Sequence, residues 1–279
     1  MRSITKDEIV TKIKQLCMDV NYVISEDMEN VYHESFKIEE SPVGKEILKQ
    51  IIKNVELAKE TSSPMCQDTG FAVFFVELGR DLHLECDLEE AINEGVREGY
   101  SEGFLRKSIV RDPLNRVNTN DNTPAIIYLK SVAGDKIKVK MAAKGGGSEN
   151  MSKLAMLKPS DGLEGVMKFV VDTVEAAGPN PCPPTLIGVG IGGTFEKSAQ
   201  LAKEALYRHV GSIHPDLFYA KLEHDLLERI NKLGIGPMGM GGRVTSFAVF
   251  INAHPCHIAS LPVAVNIQCH SARHKEIEI

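Results

Sequence analysis

Apolar residues Ile9, Ile13, Leu16, Cys17 and Val20 recur at helical spacing behind Thr5-Lys-Asp-Glu8, a capping-box sequence, so a helix is predicted to start there. A second helix is predicted after Ser25. Ser41-Pro42, an N-cap followed by proline at the first helical position, opens a third through Ile47, Ile51, Val55 and Ala58. Residues 1–60 thus read as a helical leading region. The pattern then changes: Pro64 to Gly70 reads as a loop, and FAVFFVEL at 71–78 has strand length and composition. Asp87 and Glu90 suit the start of a helix reaching about Tyr100, and residues 106–124 read as a polar, turn-rich ordered loop. Period-two alternation in IIYLKSV and KIKVKMA, on either side of Gly134-Asp135, predicts a hairpin. Further on, a helix is predicted at 162–177, a proline-rigid loop at 178–184 and a strand at 185–191. Helices near 195–209 and 216–233 and strands near 244–252 and 261–268 complete the reading. Interleaved helices and strands predict a mixed α/β fold, one domain over 1–279, and the hairpin argues against a purely parallel sheet.

Composition narrows the function classes. The 279 residues are 43% hydrophobic, and 32 Lys and Arg against 38 Asp and Glu leave a net charge of −6. That sign, with no run of Lys and Arg, argues against nucleic acid as the main partner. The longest apolar stretch, Ile258 to Ile267, is broken by Ser260, Pro262 and Asn266, well short of the roughly 20 residues a bilayer requires. The N-terminus alternates charged with apolar residues, unlike a signal peptide, so a cytoplasmic location is expected. Six cysteines are too sparse for a disulfide-built scaffold.

Gly188-Val-Gly-Ile-Gly-Gly193 matches a dinucleotide fingerprint, but no acidic residue follows at the distance a ribose would need. A close-packed strand-to-helix turn is the better reading. Gly236-Pro-Met-Gly-Met-Gly-Gly-Arg243 could line an anion site with its amides or simply permit a turn. Cys17 and Cys86 read as filler, whereas Cys66, Cys182 and Cys269 each stand where an element stops. Two metal centres are conceivable. His254, Cys256, His257, Cys269, His270 and His274 could assemble a zinc site, although no paired ligand spacing marks one. Cys66, Cys182 and Cys269 would suit an iron–sulfur cluster, since soft thiolates favour iron and sulfide. Gln67, Asp68, Arg106, the amides of Lys144-Gly-Gly-Gly147 and His257 together suit an anionic substrate, though each alone is an ordinary residue.

The chain resembles the alpha subunits of two-subunit, iron–sulfur class I fumarate hydratases, whose relatives include the L-tartrate dehydratases. The resemblance spans nearly the whole chain. It rests on Cys66-Gln-Asp-Thr-Gly70, Lys144-Gly-Gly-Gly-Ser-Glu-Asn150, Asn180-Pro-Cys-Pro-Pro to Gly193, Gly234-Ile-Gly-Pro-Met-Gly239 and Leu261-Pro-Val-Ala-Val-Asn-Ile-Gln-Cys269. It implies a 4Fe-4S cluster on Cys66, Cys182 and Cys269, with the fourth iron open to substrate. It also implies that Gln67, Asp68, Arg106 and the Gly146 amide surround the carboxylates of a four-carbon dicarboxylate, with His257 hydrogen bonding or handling a proton. The implied reaction is hydration of fumarate to (S)-malate, with tartrate dehydration as the alternative. Single-chain members of the family continue into a second domain carrying the catalytic base, so a separate beta subunit in a hetero-oligomer is expected, with little turnover by this chain alone. The rival from another class is a non-catalytic iron–sulfur or zinc-binding protein.

Overall fold

The computed structural model describes residues 2–279. In chain order the elements are β1 (Arg2–Ile4), α1 (Lys6–Tyr22), α2 (Glu26–Ile38), α3 (Pro42–Thr61), β2 (Phe71–Gly79), β3 (Leu82–Leu84), α4 (Leu88–Glu102), β4 (Ile126–Val132), β5 (Ile137–Lys144), α5 (Gly146–Glu149), β6 (Lys153–Leu157), α6 (Gly162–Ala177), β7 (Thr185–Gly192), α7 (Phe195–Ala205), α8 (Leu217–Asn231), β8 (Ser246–His254), β9 (Leu261–Gln268) and β10 (His274–Glu278). The fold is mixed α/β with antiparallel pairs, as the sequence predicts. The chain divides into two compact units, the first comprising residues 1–25, 54–146 and 273–279 and the second residues 26–53 and 147–272.

In the first unit, α1 begins at the predicted capping box: the Glu8 amide donates to Thr5 Oγ1 and the Thr5 amide donates to Glu8 Oε2 at 2.8 Å. The buried stripe Ile9, Ile13, Leu16, Cys17 and Val20 joins Ala91, Ile92, Val96 and Tyr100 of α4 in one core. Asp87 caps α4 by accepting from the Glu90 amide at 2.9 Å. The sheet runs β10-β5-β2-β4. The expected hairpin does not form: β4 and β5 flank β2 on opposite sides, β4 parallel and β5 antiparallel. The reason lies in β2, whose residues Ala72 to Val76 are all buried and therefore need a partner on each edge. The Gly134-Asp135 turn instead passes around the end of β2, where the Gly79 amide donates to Lys136 O and the Asp81 amide to Gly134 O.

In the second unit the sheet runs β6-β9-β7-β8, with β7 and β8 parallel and β9 antiparallel to β7 and β6. Val166, Val170 and Val174 of α6 and Leu222, Leu226 and Ile230 of α8 pack with Ile187, Val189, Val249, Ile251, Val263, Val265 and Ile267. The glycine fingerprint lies mostly within β7, where it admits α7. A Cβ on Gly188 would sit 2.1 Å from Ala202 O, and one on Gly190 would sit 2.0 Å from Ser198 O. Only residues without a side chain allow that approach. The fingerprint is a packing device, as the sequence reading preferred. Among the described residues no helix is long and apolar enough to cross a membrane.

Candidate functional site

The loop between α3 and β2 carries Cys66, Gln67 and Asp68, all at least partly solvent-exposed, and several buried groups hold its shape. Tyr100 Oη, fully buried, lies 2.9 Å from Thr69 O and 3.2 Å from Gly70 O and donates to this carbonyl pair. Burial pushes the Tyr100 phenol well above its ordinary range, so it stays a protonated donor. Asn122, fully buried and at φ 62°, donates from Nδ2 to Gly70 O and accepts the Ser108 amide at 2.7 Å on Oδ1. Its carboxamide thereby ties the 106–124 loop to the QDTG turn. Thr69 Oγ1 donates to Arg106 O at 3.1 Å, which fixes the backbone of the residue expected to grip a carboxylate. The Arg106 side chain itself is exposed.

Asp68 draws the glycine segment into the same arrangement. Its Oδ2 accepts the Gly146 amide at 2.8 Å and its Oδ1 the Gly70 amide at 2.9 Å. The Gly146 amide, expected to meet a substrate carboxylate, is thus already engaged by a carboxylate of the chain itself. Gln67, Asp68, Arg106 and Gly146 all belong to the first unit; the Asp68 carboxylate holds the Gly146 amide, and the neighbouring Thr69 hydroxyl holds the Arg106 carbonyl. The sequence reading did not find Tyr100 or Asn122 among the groups that support them. Only Asn122 gave a signal, as one of the asparagines in the turn-rich NTNDNTP segment.

Cys182, Cys269 and His257 belong to the second unit. Cys182 is exposed and held in left-handed backbone at φ 55°, an unusual conformation for a residue with a side chain. Its amide donates to Pro179 O at 3.1 Å, and its carbonyl accepts the His270 amide at 3.2 Å. That second bond joins the Cys182 loop to the segment carrying Cys269, whose Sγ lies 3.3 Å from Ser271 Oγ. His257 is exposed beyond β8, and its Nδ1 accepts the Ala259 amide at 3.1 Å. In the neutral ring the proton therefore sits on Nε2, which makes the outward nitrogen a donor.

The other cysteines sort as expected where burial is the criterion: Cys17 is fully buried, and that burial raises its thiol strongly, whereas Cys66, Cys182 and Cys269 are all at least partly exposed. None of the six is in a disulfide. Cys86 is half-buried with a raised pKa, chiefly from burial, and Cys256 is exposed with its Sγ on Ser260 O at 3.3 Å. Among the described residues no three His, Cys, Asp or Glu side chains form a group that could hold a metal ion. Among the zinc candidates, ring nitrogens of His254, His257 and His270 contact Pro255 O, the Ala259 amide and Cys182 O. For the three reachable thiols, donor chemistry suits a soft metal group; two stand on joined loops of the second unit and the third on the first.

Gly236–Arg243 also resolves. The Arg243 and Val244 amides donate to Glu39 at 2.9 and 2.8 Å, so this segment does bind an anion, namely a buried side chain.

A mixed α/β chain with reachable cysteines at loop ends and an amide-bound aspartate defines a class of candidate anion-handling proteins, and comparison with known proteins gives the family. A family model described as Fumarate hydratase (Fumerase) matches residues 10–278. The chain belongs to this family. It is 43% identical over 268 residues to a Methanocaldococcus jannaschii protein named "Putative L(+)-tartrate dehydratase subunit alpha", with 94% of each chain covered. It is 32% identical over 287 residues to the L(+)-tartrate dehydratase subunit alpha of Escherichia coli strain UTI89, covering 100% of this chain and 94% of that one. The subunit of the same name in strain K12 is 32% identical over 281 residues, covering 98% and 92%.

Proposed function

We propose that this chain is the alpha subunit of a hydro-lyase that hydrates fumarate reversibly to (S)-malate, with its active site completed by a separate beta subunit. The observation that carries the reading is the Asp68 carboxylate on the Gly146 and Gly70 amides, in a loop braced by Tyr100 and Asn122 and tied to Arg106. Such a cradle offers a dianion an exposed carboxamide and a guanidinium, with the Gly146 amide available once Asp68 Oδ2 releases it. Membership of the fumarate hydratase family and the "subunit alpha" names of the relatives support the same reading.

Cys66, Cys182 and Cys269 are proposed to hold a 4Fe-4S cluster. When bound, a cluster with one iron lacking a protein thiolate supplies a Lewis acid for the hydroxyl that leaves or arrives. The chain's own residues do the rest of this half-site's work. Arg106 takes one substrate carboxylate through its planar fork, and Gln67 donates to it from Nε2. Asp68 keeps the Gly70 amide on Oδ1 and yields the Gly146 amide to the substrate, which frees Oδ2 to accept from the substrate hydroxyl. His257 donates from Nε2. The base that removes the carbon-bound proton is assigned to the beta subunit, so this chain alone gives little turnover.

The test is to co-express the chain with its partner subunit, purify the complex without oxygen, and compare kcat/KM on fumarate, (S)-malate and each tartrate enantiomer. Preference for fumarate and malate supports the proposal. A second reading, L-tartrate dehydratase subunit, is favoured by the names of the relatives, and clear preference for tartrate would establish it. Absence of turnover on all of them would overturn both. A broad visible iron–sulfur absorption weakened in Cys66→Ser, Cys182→Ser and Cys269→Ser tests the ligand set. Activity unaffected by Arg106→Ala would favour the non-catalytic metal-binding rival.

A further inference from the structure

Arg273 is among the largest fully buried side chains of the protein, 1% exposed, immediately before β10. Its Nη1 donates to the carbonyl of Asp68 and, at 3.2 Å, to Oδ1 of the buried Asn21. Its Nε is buried without a hydrogen-bond partner, and the guanidinium forms no ion pair among the described residues. Gly145 lies against it. A Cβ there would stand 3.2 Å from Asp68 Oδ2 and 3.3 Å from Arg273 Nη2, so the carboxylate and the guanidinium flank the same glycine. Asn21 is itself fixed by donating to Cys17 O at 2.9 Å, which anchors the guanidinium to α1.

A fully buried cation with incomplete hydrogen bonding and no carboxylate in direct contact is an expensive arrangement. Packing does not require it, because an apolar side chain would fill the same volume. We propose that Arg273 is a positioning residue of the dicarboxylate site. Its guanidinium fixes the backbone of Gln67-Asp68, and across Gly145 the Gly146 amide, in the register that meets an anionic substrate. This inference rests on the dicarboxylate reading above. A dianion held by Gln67, Arg106 and Gly146 would add to the one negative charge, Asp68 across Gly145, that faces this buried guanidinium without pairing to it. The arrangement is pre-organised for substrate at a cost to the fold.

The test uses the anoxically purified two-subunit complex carrying Arg273→Met, Arg273→Lys or Lys275→Ala. Lys275 sits in β10 in an exposed pair with Asp19, so its loss leaves kcat/KM within about twofold of the parent. Arg273→Met lowers kcat/KM by about tenfold to a hundredfold, the range for losing a hydrogen bond to a charged group, at temperatures where the variant is fully folded. Arg273→Lys recovers part of the loss. Arg273→Met within threefold of the parent on fumarate and malate would overturn the proposal. Should Arg273→Met fail to fold, Gly145→Ala decides: its Cβ crowds Asp68 Oδ2 and Arg273 Nη2, which must give by a few tenths of an ångström, so a tenfold loss supports the role and unchanged kinetics overturn it. Should the parent complex turn over no dicarboxylate, the functional reading fails while Arg273 is still judged by hydrogen exchange. Loss of its guanidinium then speeds exchange of the Gly70 and Gly146 amides about tenfold, and unchanged protection of both would refute it.

Discussion

Each unit holds a carboxylate on backbone amides of a glycine-rich segment, and comparing the two separates a structural anion from a functional one. Glu39, 1% exposed, accepts the Glu40, Ser41, Arg243 and Val244 amides at 2.8–2.9 Å. Asp68, half-buried, accepts two amides among the described residues, those of Gly70 and Gly146. Four donors saturate Glu39 and close its segment to any other anion. Two donors leave Asp68 with lone pairs to spare at a surface that solvent reaches, one of its amides belonging to the segment expected to meet substrate. Glycine content alone cannot tell these apart from the third glycine run, where Gly188 and Gly190 make room for α7.

The comparison breaks most severely at Glu39. Glu39→Ala removes the acceptor for four amides and is expected to destabilise by about 4 kcal/mol, since each buried unpaired group costs roughly 1–3 kcal/mol. Chemical denaturation measures this directly. Its pH dependence adds a second signature. Burial raises the Glu39 pKa, but the four amides outweigh it and hold the carboxyl below its ordinary value. A depressed folded pKa stabilises above the unfolded value of about 4.3 and is lost as pH falls through the folded one. The gap between parent and Glu39→Gln therefore narrows below about pH 4. A gap constant down to acid unfolding would mean Glu39 holds these amides by shape and not by charge.

Next in size is Gly190→Val, which drives a branched side chain into Ser198 O and is expected to cost about 3 kcal/mol or more. A variant as stable as the parent by thermal unfolding would show that β7 and α7 separate easily, and the glycine run would again need a ligand to explain it.

Asp68→Asn inverts the Glu39 result. Stability falls by only about 1 kcal/mol, because the carboxamide keeps one acceptor at a half-exposed site, while kcat/KM of the two-subunit complex falls by about tenfold to a hundredfold. Large destabilisation with normal kinetics would make Asp68 a second Glu39 and empty the comparison.

The sequence made the local devices legible and the long-range ones not. Thr5-Glu8, Asp87-Glu90 and Ser41-Pro42 announce helix starts because a cap is complete within four residues. The β4–β5 hairpin misled because Gly134-Asp135 is good turn chemistry whichever strand lies beside it, and only the two-sided burial of Ala72 to Val76 decides the pairing. Strands of three to five residues such as β1, β3, β6 and β10 are too short to show a period. At the site, Cys66-Gln-Asp and Lys144-Gly-Gly-Gly stood out by composition. Arg273 did not, because Ser271 to Lys275 reads as a polar tail, and its burial comes from contacts with Asn21 and Asp68 more than 200 residues away.

The smallest expected effect is the sharpest test of which face of the glycine segment works. Gly146→Ala keeps the amide that Asp68 accepts, and its Cβ would stand 3.8 Å from Asp68 Oδ2, an ordinary contact, in the first position of a short helix. Stability should change by less than about 0.5 kcal/mol, since the helical conformation suits alanine. If substrate meets only the amide edge, kcat/KM stays within about threefold, while the neighbouring Gly145→Ala, crowded at 3.2–3.3 Å, loses more. A large rise in KM for Gly146→Ala at unchanged stability would instead mean that substrate lies across the face where the new methyl projects. The dicarboxylate would then sit on the glycine itself and not at its amide alone.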